Sequence, residues 1–366
     1  MAAWVCYMRA MRPNKLLYVD TMRGWAILMV IVCHQALAFT HLHPVVKLLA
    51  SYGQTGVFLF FLASAFTLCN SHMERRGEEN STRNFFIRRL FRIAPLYYLG
   101  IILFFSLQSL FPQLTAGMLG DFTPANLLAN VTLLHGLMPT AFTGLVPGGW
   151  SIGTEWAFYL VFPVLFVTCL KTHDMWGYRV LLLPCAILAG ANILLLTRIG
   201  MANERYWFWY DSVLNQLPVF VAGILLFLAV HSGAFRPDLR RDIPAFAFTS
   251  LLAVLALKAK LFALLPPASA ISFVFLFNIF RSTSTSYGLI EKIGRVSYSM
   301  YVFHTVFAVF ATRSVLEIFP MPDAYENAAF GAACMVSIPL TWLVGRFSEK
   351  YIEQPFIAFG RRLTRG

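Results

Sequence analysis

The sequence predicts an all-α, polytopic integral membrane protein with about ten transmembrane helices and both termini cytoplasmic. Three observations carry this: charged residues are scarce, apolar runs of bilayer length recur along the chain, and lysine and arginine cluster between alternate runs. Of 366 residues, 58% are hydrophobic, 16% aromatic and only 13% charged, with a mean hydropathy of +0.66. A water-soluble domain carries about 25% charged residues, so disorder is excluded and a soluble globular fold disfavoured. No long polar segment interrupts the apolar runs, which implies a single membrane-embedded domain over residues 1–366 with its core at about 16–355.

Runs long enough to cross a bilayer, about 17–25 residues each, fall near 24–42, 52–70, 93–111, 150–170, 178–197, 213–231, 243–261, 264–281, 295–314 and 328–347. Between the seventh and eighth, Lys258, Lys260 and Pro266-Pro267 suggest a tight outer turn, with one long broken helix as the alternative. Placing the N-terminus inside puts 23 of the 29 Lys and Arg in cytoplasmic segments, from Arg9, Arg12 and Lys15 to Arg361, Arg362 and Arg365. Only Lys47, Arg198, Arg205, Lys258, Lys260 and Arg313 then face outward. This asymmetry obeys the positive-inside rule. It assigns the net charge of +12 to the inner surface of the bilayer rather than to a nucleic-acid partner.

The six cysteines, Cys6, Cys33, Cys69, Cys169, Cys185 and Cys334, mostly sit inside apolar runs and form no metal-like spacing, so they read as small packing residues and no metal is expected. The first apolar run, from Trp25 to about Leu42, is too long and lacks the cleavage pattern of a signal peptide. The longest outer loop, about 111–149, is rich in Gly, Pro, Thr and Asn, with Asp121 its one charged residue; it reads as a cap on a substrate entrance or as a connection.

Ionisable residues at membrane depth are costly and point to function. Arg23 and His34 are eleven residues apart; at 100° per residue that is three turns plus about 20°, so they share one helix face ~16 Å apart. Arg23 is expected at the cytoplasmic interface and His34 near the bilayer midplane. Trp150 and Ser151 open the fourth run, in which Ser151, Glu155 and Tyr159 repeat every four residues and form a stripe. Ser297, Tyr301 and His304 share a face in the ninth run, with His304 at a depth like that of His34. Two histidines and a carboxylate in one pocket would suit general-base catalysis on a hydroxyl, and equally a proton relay. Arg88, Arg89 and Arg92 just precede the third run; they would clamp a phosphorylated ligand or simply meet anionic lipid.

These motifs, in this order, resemble the membrane acyltransferase family 3, whose members O-acetylate bacterial surface polysaccharides and other acceptors. The resemblance runs from Tyr18 to Pro355. It rests on Asp20-Thr-Met-Arg23-Gly24 through His34, Gly56 through Ser64, Arg88-Arg89-x-x-Arg92-Ile-x-Pro95, Trp150-Ser151-x-x-x-Glu155-x-x-x-Tyr159, Ser297-Tyr298-x-x-Tyr301-x-x-His304 and Glu353-x-Pro355. Thr21, Phe58 and Ala65 depart from the usual pattern without removing a polar catalytic group. The resemblance implies acyl-CoA, most simply acetyl-CoA, as donor substrate, with no permanently bound cofactor. It implies a hydroxyl of a polysaccharide or glycolipid as acceptor, and the bacterial inner membrane as location. Arg23, Arg88, Arg89 and Arg92 would hold the donor's phosphates. His34 would act as base or carry the acyl group, Glu155 would orient His34 or the sugar, and Tyr301 and His304 would stabilise charge on the thioester oxygen. Alternative readings are an acyltransferase acting on a small molecule or lipid, and a transporter of polysaccharide precursors, which would consume no acyl-CoA.

Overall fold

A computed structural model describes residues 16–115, 120–283, 288–318 and 325–364; Cys6 and the basic residues Arg9, Arg12, Lys15 and Arg365 lie outside them. The described residues contain helices and no strand. In chain order the principal helices are α1 (Leu17–Ala36), α2 (Pro44–Tyr52), α3 (Gly56–Glu74), α4 (Ser81–Leu110), α5 (Gly149–Trp176), α6 (Leu182–Ile199) and α7 (Val213–His231). They continue with α8 (Leu239–Lys258), α9 (Leu265–Ser282), α10 (Leu289–Arg295), α11 (Ser297–Ile318), α12 (Glu326–Ser348) and α13 (Gln354–Leu363). Nine helical stretches among the described residues are long and apolar enough to cross a membrane, and they cover nine of the ten predicted runs. The run predicted at 243–261 is also a helix, α8, but Arg240, Arg241 and Asp242 in its first turn and Lys258 at its end set it apart. Asp242 is buried there, accepting from the backbone N–H of Asp238 (2.9 Å) and from Nε of Arg241 (2.8 Å).

Local chemistry sets the ends of these elements. Pro44 begins α2, where its missing N–H costs nothing. Asp238 and Ser212 cap α8 and α7 through backbone N–H groups of the first turn. Between α8 and α9, Lys260 turns the chain with φ +58° and the two helices pack against each other. The tight turn is thus the correct reading, and the long broken helix is not. Helix α4 starts at Ser81, well before the predicted third run. Arg88, Arg89 and Arg92 are therefore carried on the helix itself rather than on a preceding loop.

The predicted open loop 111–149 is largely folded. Residues Pro124–Val131 form a helix capped by Thr123, and His135, Leu145 and Val146 are buried. Tyr97 of α4 donates to Oδ1 of Asn130 (2.6 Å), which also accepts from the N–H of Leu145 (3.1 Å). His135 donates through Nε2 to the carbonyl of Gly149 (2.9 Å) and stacks on Tyr97. This network ties the segment to the start of α5.

Two kinds of packing hold the bundle. Stacked rings, Phe61 on Phe220 (4.5 Å between centroids) and Phe220 on Phe158 (4.0 Å), join α3, α7 and α5, an arrangement worth more than its buried area alone. Outside, large apolar side chains such as Leu183, Ile187 and Leu194 on α6 remain exposed, a surface that lipid covers. Helix α1 meets α10 at backbone distance. A Cβ at Gly294 would lie 1.7 Å from the carbonyl oxygen of Asp20, and one at Gly24 would lie 2.1 Å from that of Ile290. Small residues permit such approaches between membrane helices.

Gly294→Ala should therefore destabilise the protein by about 3 kcal/mol, the upper end for overpacking, whereas Gly331→Ala, with nothing within 4 Å of the added carbon, should stay within about 0.5 kcal/mol. Thermal unfolding of the two variants in the same detergent checks this.

Candidate active site

Three cavities follow one another between α1, α3, α4, α5 and α11. The first, about 210 Å³, is basic and is lined by Arg23, Thr67, Ser71, Arg75, Arg88, Arg89, Arg92, Ile357 and Arg361. The middle one, about 80 Å³, is lined by Arg23, Ser64, Arg89, Arg92, Ser151, Glu155, Tyr159 and Tyr301 together with apolar residues of α3 and α4. The far one, about 290 Å³, is lined by His34, Gln35, Leu37, Ala38, Pro147, Gly148, Thr305, Ala308, Val309 and Thr312. Helix geometry explains the order: Arg23 and His34 share a face of α1 but stand ~16 Å apart along it. Residues Ser297, Tyr298 and Tyr301 of α11 reach the middle cavity, and Thr305, Ala308 and Thr312, further along, reach the far one.

The two histidines meet. Nε2 of His304 lies 2.9 Å from Nδ1 of His34, and Nδ1 of His304 lies 2.6 Å from the carbonyl oxygen of Tyr301. A carbonyl only accepts, so the neutral His304 carries its proton on Nδ1 and its lone pair on Nε2. His34 must then donate through Nδ1, which leaves its own Nε2 unprotonated, as a base requires. His304 is 0% exposed and has no N–H left over. In this arrangement both ring nitrogens of His304 are engaged, one by the Tyr301 carbonyl and one by His34, whereas the family resemblance implies a role in stabilising charge on a thioester oxygen. His34 lies in the last turn of α1, and His304 lies ~10 Å from the Ser297 end of α11 and ~21 Å from its Ile318 end.

Glu155 is not part of that pair. The expected pocket of two histidines and a carboxylate is divided between two cavities, with Glu155 in the middle one. Its Oε1 accepts from Oγ of Ser64 (2.5 Å) and from the hydroxyl of Tyr159 (2.6 Å), so its partners are those residues and not His34. Trp150 lines none of the three cavities; it packs edge-on against Phe61 as part of the aromatic wall.

The arginines also separate by partner. Arg88 is held in a bidentate pair by Glu78 (2.7 and 2.9 Å), and this guanidinium holds the Glu78 carboxyl below its usual range. Arg23 donates to Oγ1 of Thr67 (3.1 Å). Arg89 lies over the rings of Phe85 and Tyr159, 5.8 Å from each centroid. Among the described residues, no hydrogen bond or ion pair within 4 Å joins Arg89 or Arg92 to a protein group. Arg92 instead feels the more distant carboxylate of Glu353, which accepts from Ser299 (3.1 Å). Arg89 and Arg92 of α4, with Arg361 of α13 in the lining of the basic cavity, are therefore guanidinium groups available to an anion.

Between the middle and far cavities stands a septum the sequence does not reveal. The hydroxyl of Tyr301 lies 2.7 Å from Oγ of Ser151, and both hydroxyls lie 3.0 Å from the carbonyl oxygen of Gly148. The two cavities share no lining residue among those described. Gly148 has φ +77°, and a Cβ there would meet the Tyr301 hydroxyl at 2.8 Å. The network of Tyr97, Asn130 and His135 fixes this segment from behind.

A family model described as an acyltransferase domain matches residues 16–346. Among curated proteins, an acyltransferase of Streptomyces mycarofaciens, MdmB, is 24% identical over 382 aligned residues, covering 93% of this chain and 92% of that protein. No solved structure matches.

Because Gly148 is both strained for any other residue and in contact with Tyr301, Gly148→Ala should cost about 1–2 kcal/mol from backbone conformation plus the collision. Adding Tyr301→Phe removes the hydroxyl that the new carbon meets, so the double variant should be more stable than the two single losses predict together. Thermal unfolding of the four proteins of this cycle measures the coupling.

Proposed function

The chain belongs to the acyltransferase family whose model spans it, and on that premise we propose that it moves an acyl group from acyl-CoA to a hydroxyl of a cell-surface or secreted glycan across the bacterial inner membrane. The observation that carries this reading is the sequence of cavities: free arginines at one end, and at the other a histidine whose partner leaves Nε2 open as a base. The basic end faces the cytoplasm, with both termini on that side, in keeping with the distribution of Lys and Arg. The protein is a multi-pass membrane enzyme, so its donor and acceptor meet inside the bundle.

The donor's phosphates bind at Arg89 and Arg92, assisted by Arg23, through charge-assisted hydrogen bonds; Arg88 orders Glu78 instead. The pantetheine arm extends through the middle cavity, past the carboxylate of Glu155 and the ring of Tyr159. The acceptor reaches His34 from the far cavity, and the contact between Tyr301 and Gly148 must part for the thioester to meet it.

Chemistry then needs one base. Nε2 of His34 takes the hydroxyl proton as the acceptor oxygen attacks the thioester carbonyl carbon. A C–O bond forms, the C–S bond breaks, and the CoA sulfur leaves as a thiolate that the imidazolium protonates. His304, held by the Tyr301 carbonyl, orients His34 throughout and supports its positive charge through the shared hydrogen bond. The products are an O-acyl ester and free CoA.

The test is the purified protein in detergent with radiolabelled acetyl-CoA and total cell-envelope glycan, following CoA release and label in the glycan. His34→Ala should lower transfer by about 10²–10⁴-fold, the usual worth of a positioned base. Arg89→Ala and Arg92→Ala should each raise KM for acetyl-CoA roughly tenfold or more, and Arg88→Ala should do so less. Normal transfer by folded His34→Ala protein would refute the base assignment, and absence of CoA release from the parent protein would refute the donor.

A further inference from the structure

The far cavity contains, beside His34, two polar groups that the reaction as described does not use. Gln35 lines it and is 0% exposed. Its amide orientation is fixed by its partners: Nε2 donates to the carbonyl of Ala308 (3.1 Å) and to Oγ1 of Thr312. Thr312 has already given its own proton to Ala308 (2.9 Å). A carbonyl can only accept, so the nitrogen end of the amide must face α11 and both amide hydrogens are spent. What remains is Oε1, which has no hydrogen-bond partner among the described residues. Thr305, one turn before Ala308 and Val309 on the same lining, is 8% exposed, and its hydroxyl likewise has no partner among them.

A buried amide oxygen and a buried hydroxyl left unpaired in one cavity cost about 1–3 kcal/mol each. Buried polar atoms in folded proteins are otherwise almost always satisfied, so such a pair calls for a ligand. The remaining lining is apolar: Leu37, Ala38, Pro147 and Val309. Among the described residues, no Lys, Arg, Asp or Glu lines this cavity, which disfavours a charged ligand.

Resting on the acyltransferase reading above, we infer that Gln35 and Thr305 form the acceptor subsite and select a neutral, polyhydroxylated ring. One ring hydroxyl faces His34, a second donates to Oε1 of Gln35, and the hydroxyl of Thr305 donates to a ring or hydroxyl oxygen. The apolar lining takes the C–H face of the ring. Gln35 and Thr305 are specificity-determining residues in this scheme; the base remains His34. The acceptor must carry at least two hydroxyl groups, and a lone alcohol or a fatty chain would leave Oε1 unpaired.

The experiment offers a panel of methyl glycosides as acceptors with radiolabelled acetyl-CoA, and measures KM and kcat for the best glycoside and for the donor. Variants are Gln35→Met, which keeps length and volume without the oxygen, Thr305→Val, and Thr305→Ser, which restores the hydroxyl. The expected result is a fall of tenfold or more in kcat/KM for the glycoside in Gln35→Met and Thr305→Val, chiefly through KM. Recovery is expected in Thr305→Ser, with a KM for acetyl-CoA within twofold of the parent and an unchanged Tm in the Thr305 variants. A purely structural role for these residues would instead lower Tm and disturb both substrates together, and that outcome overturns the proposal. An unchanged glycoside KM in both deletions overturns the subsite and leaves the acyltransferase reading standing. A parent protein that releases CoA but labels no glycoside overturns the ring specificity alone, and one that releases no CoA with cell-envelope glycan present overturns the reading beneath it.

Discussion

The hydrogen bond between His34 and His304 is the constraint on which the arrangement of this protein turns. It joins the last turn of α1 to the second turn of α11, and its direction is set by the Tyr301 carbonyl, a group that can only accept. Everything upstream serves to hold those two helices in register. Gly24 and Gly294 bring α1 into backbone contact with α10, which leads directly into α11. The stacked phenylalanines of α3, α5 and α7 supply a rigid wall behind them. A pair of neutral imidazoles in an apolar bundle is a modest electrostatic burden; a histidine and a carboxylate there would be a larger one. Keeping Glu155 in a separate cavity, among hydroxyl donors, avoids that burden.

Charge is handled by position along the path. The arginines gather at one end, where guanidinium groups can keep contact with water and phosphate, and among the described residues none lines the far cavity. Burying an unpaired cation is expensive. Arg88 with Glu78 and Arg23 with Thr67 have firm protein partners, whereas among the described residues the guanidinium groups of Arg89, Arg92 and Arg361, lining the same cavity, have no hydrogen bond or ion pair. That inequality separates a structural ion pair from binding capacity better than the clustering of arginines does.

Much of this is legible in the amino-acid sequence alone. Hydropathy and the placement of Lys and Arg give the all-helical membrane class, and helical spacing puts Arg23 and His34 on one face. Spacing within one helix, however, says which residues share a face and not which cavity that face meets; this is why the sequence groups Glu155 with the histidines. Arg88 looks equivalent to Arg89 because its partner, Glu78, sits in a turn with no helical period. His304 looks like a donor because its backbone partner cannot be read from side-chain types. Gln35, beside a histidine in an apolar run, has no signal of its own, and neither does Gly148, whose left-handed backbone depends on the buried loop around His135. A histidine and an asparagine in a loop almost without charge, near a glycine-rich helix start, are the faint hint available.

The septum of Tyr301, Ser151 and Gly148 has a consequence beyond substrate access. A path lined by polar groups from one face of a bilayer toward the other is a conduit for protons and small ions, driven by about 2.3 kcal/mol per elementary charge for every 100 mV across the membrane. Three neutral groups bonded to one another, with no ionised side chain among them, act as a dielectric plug in that conduit. In the proposed reaction, the contact that would hold donor and acceptor apart between turnovers would also keep the membrane electrically tight.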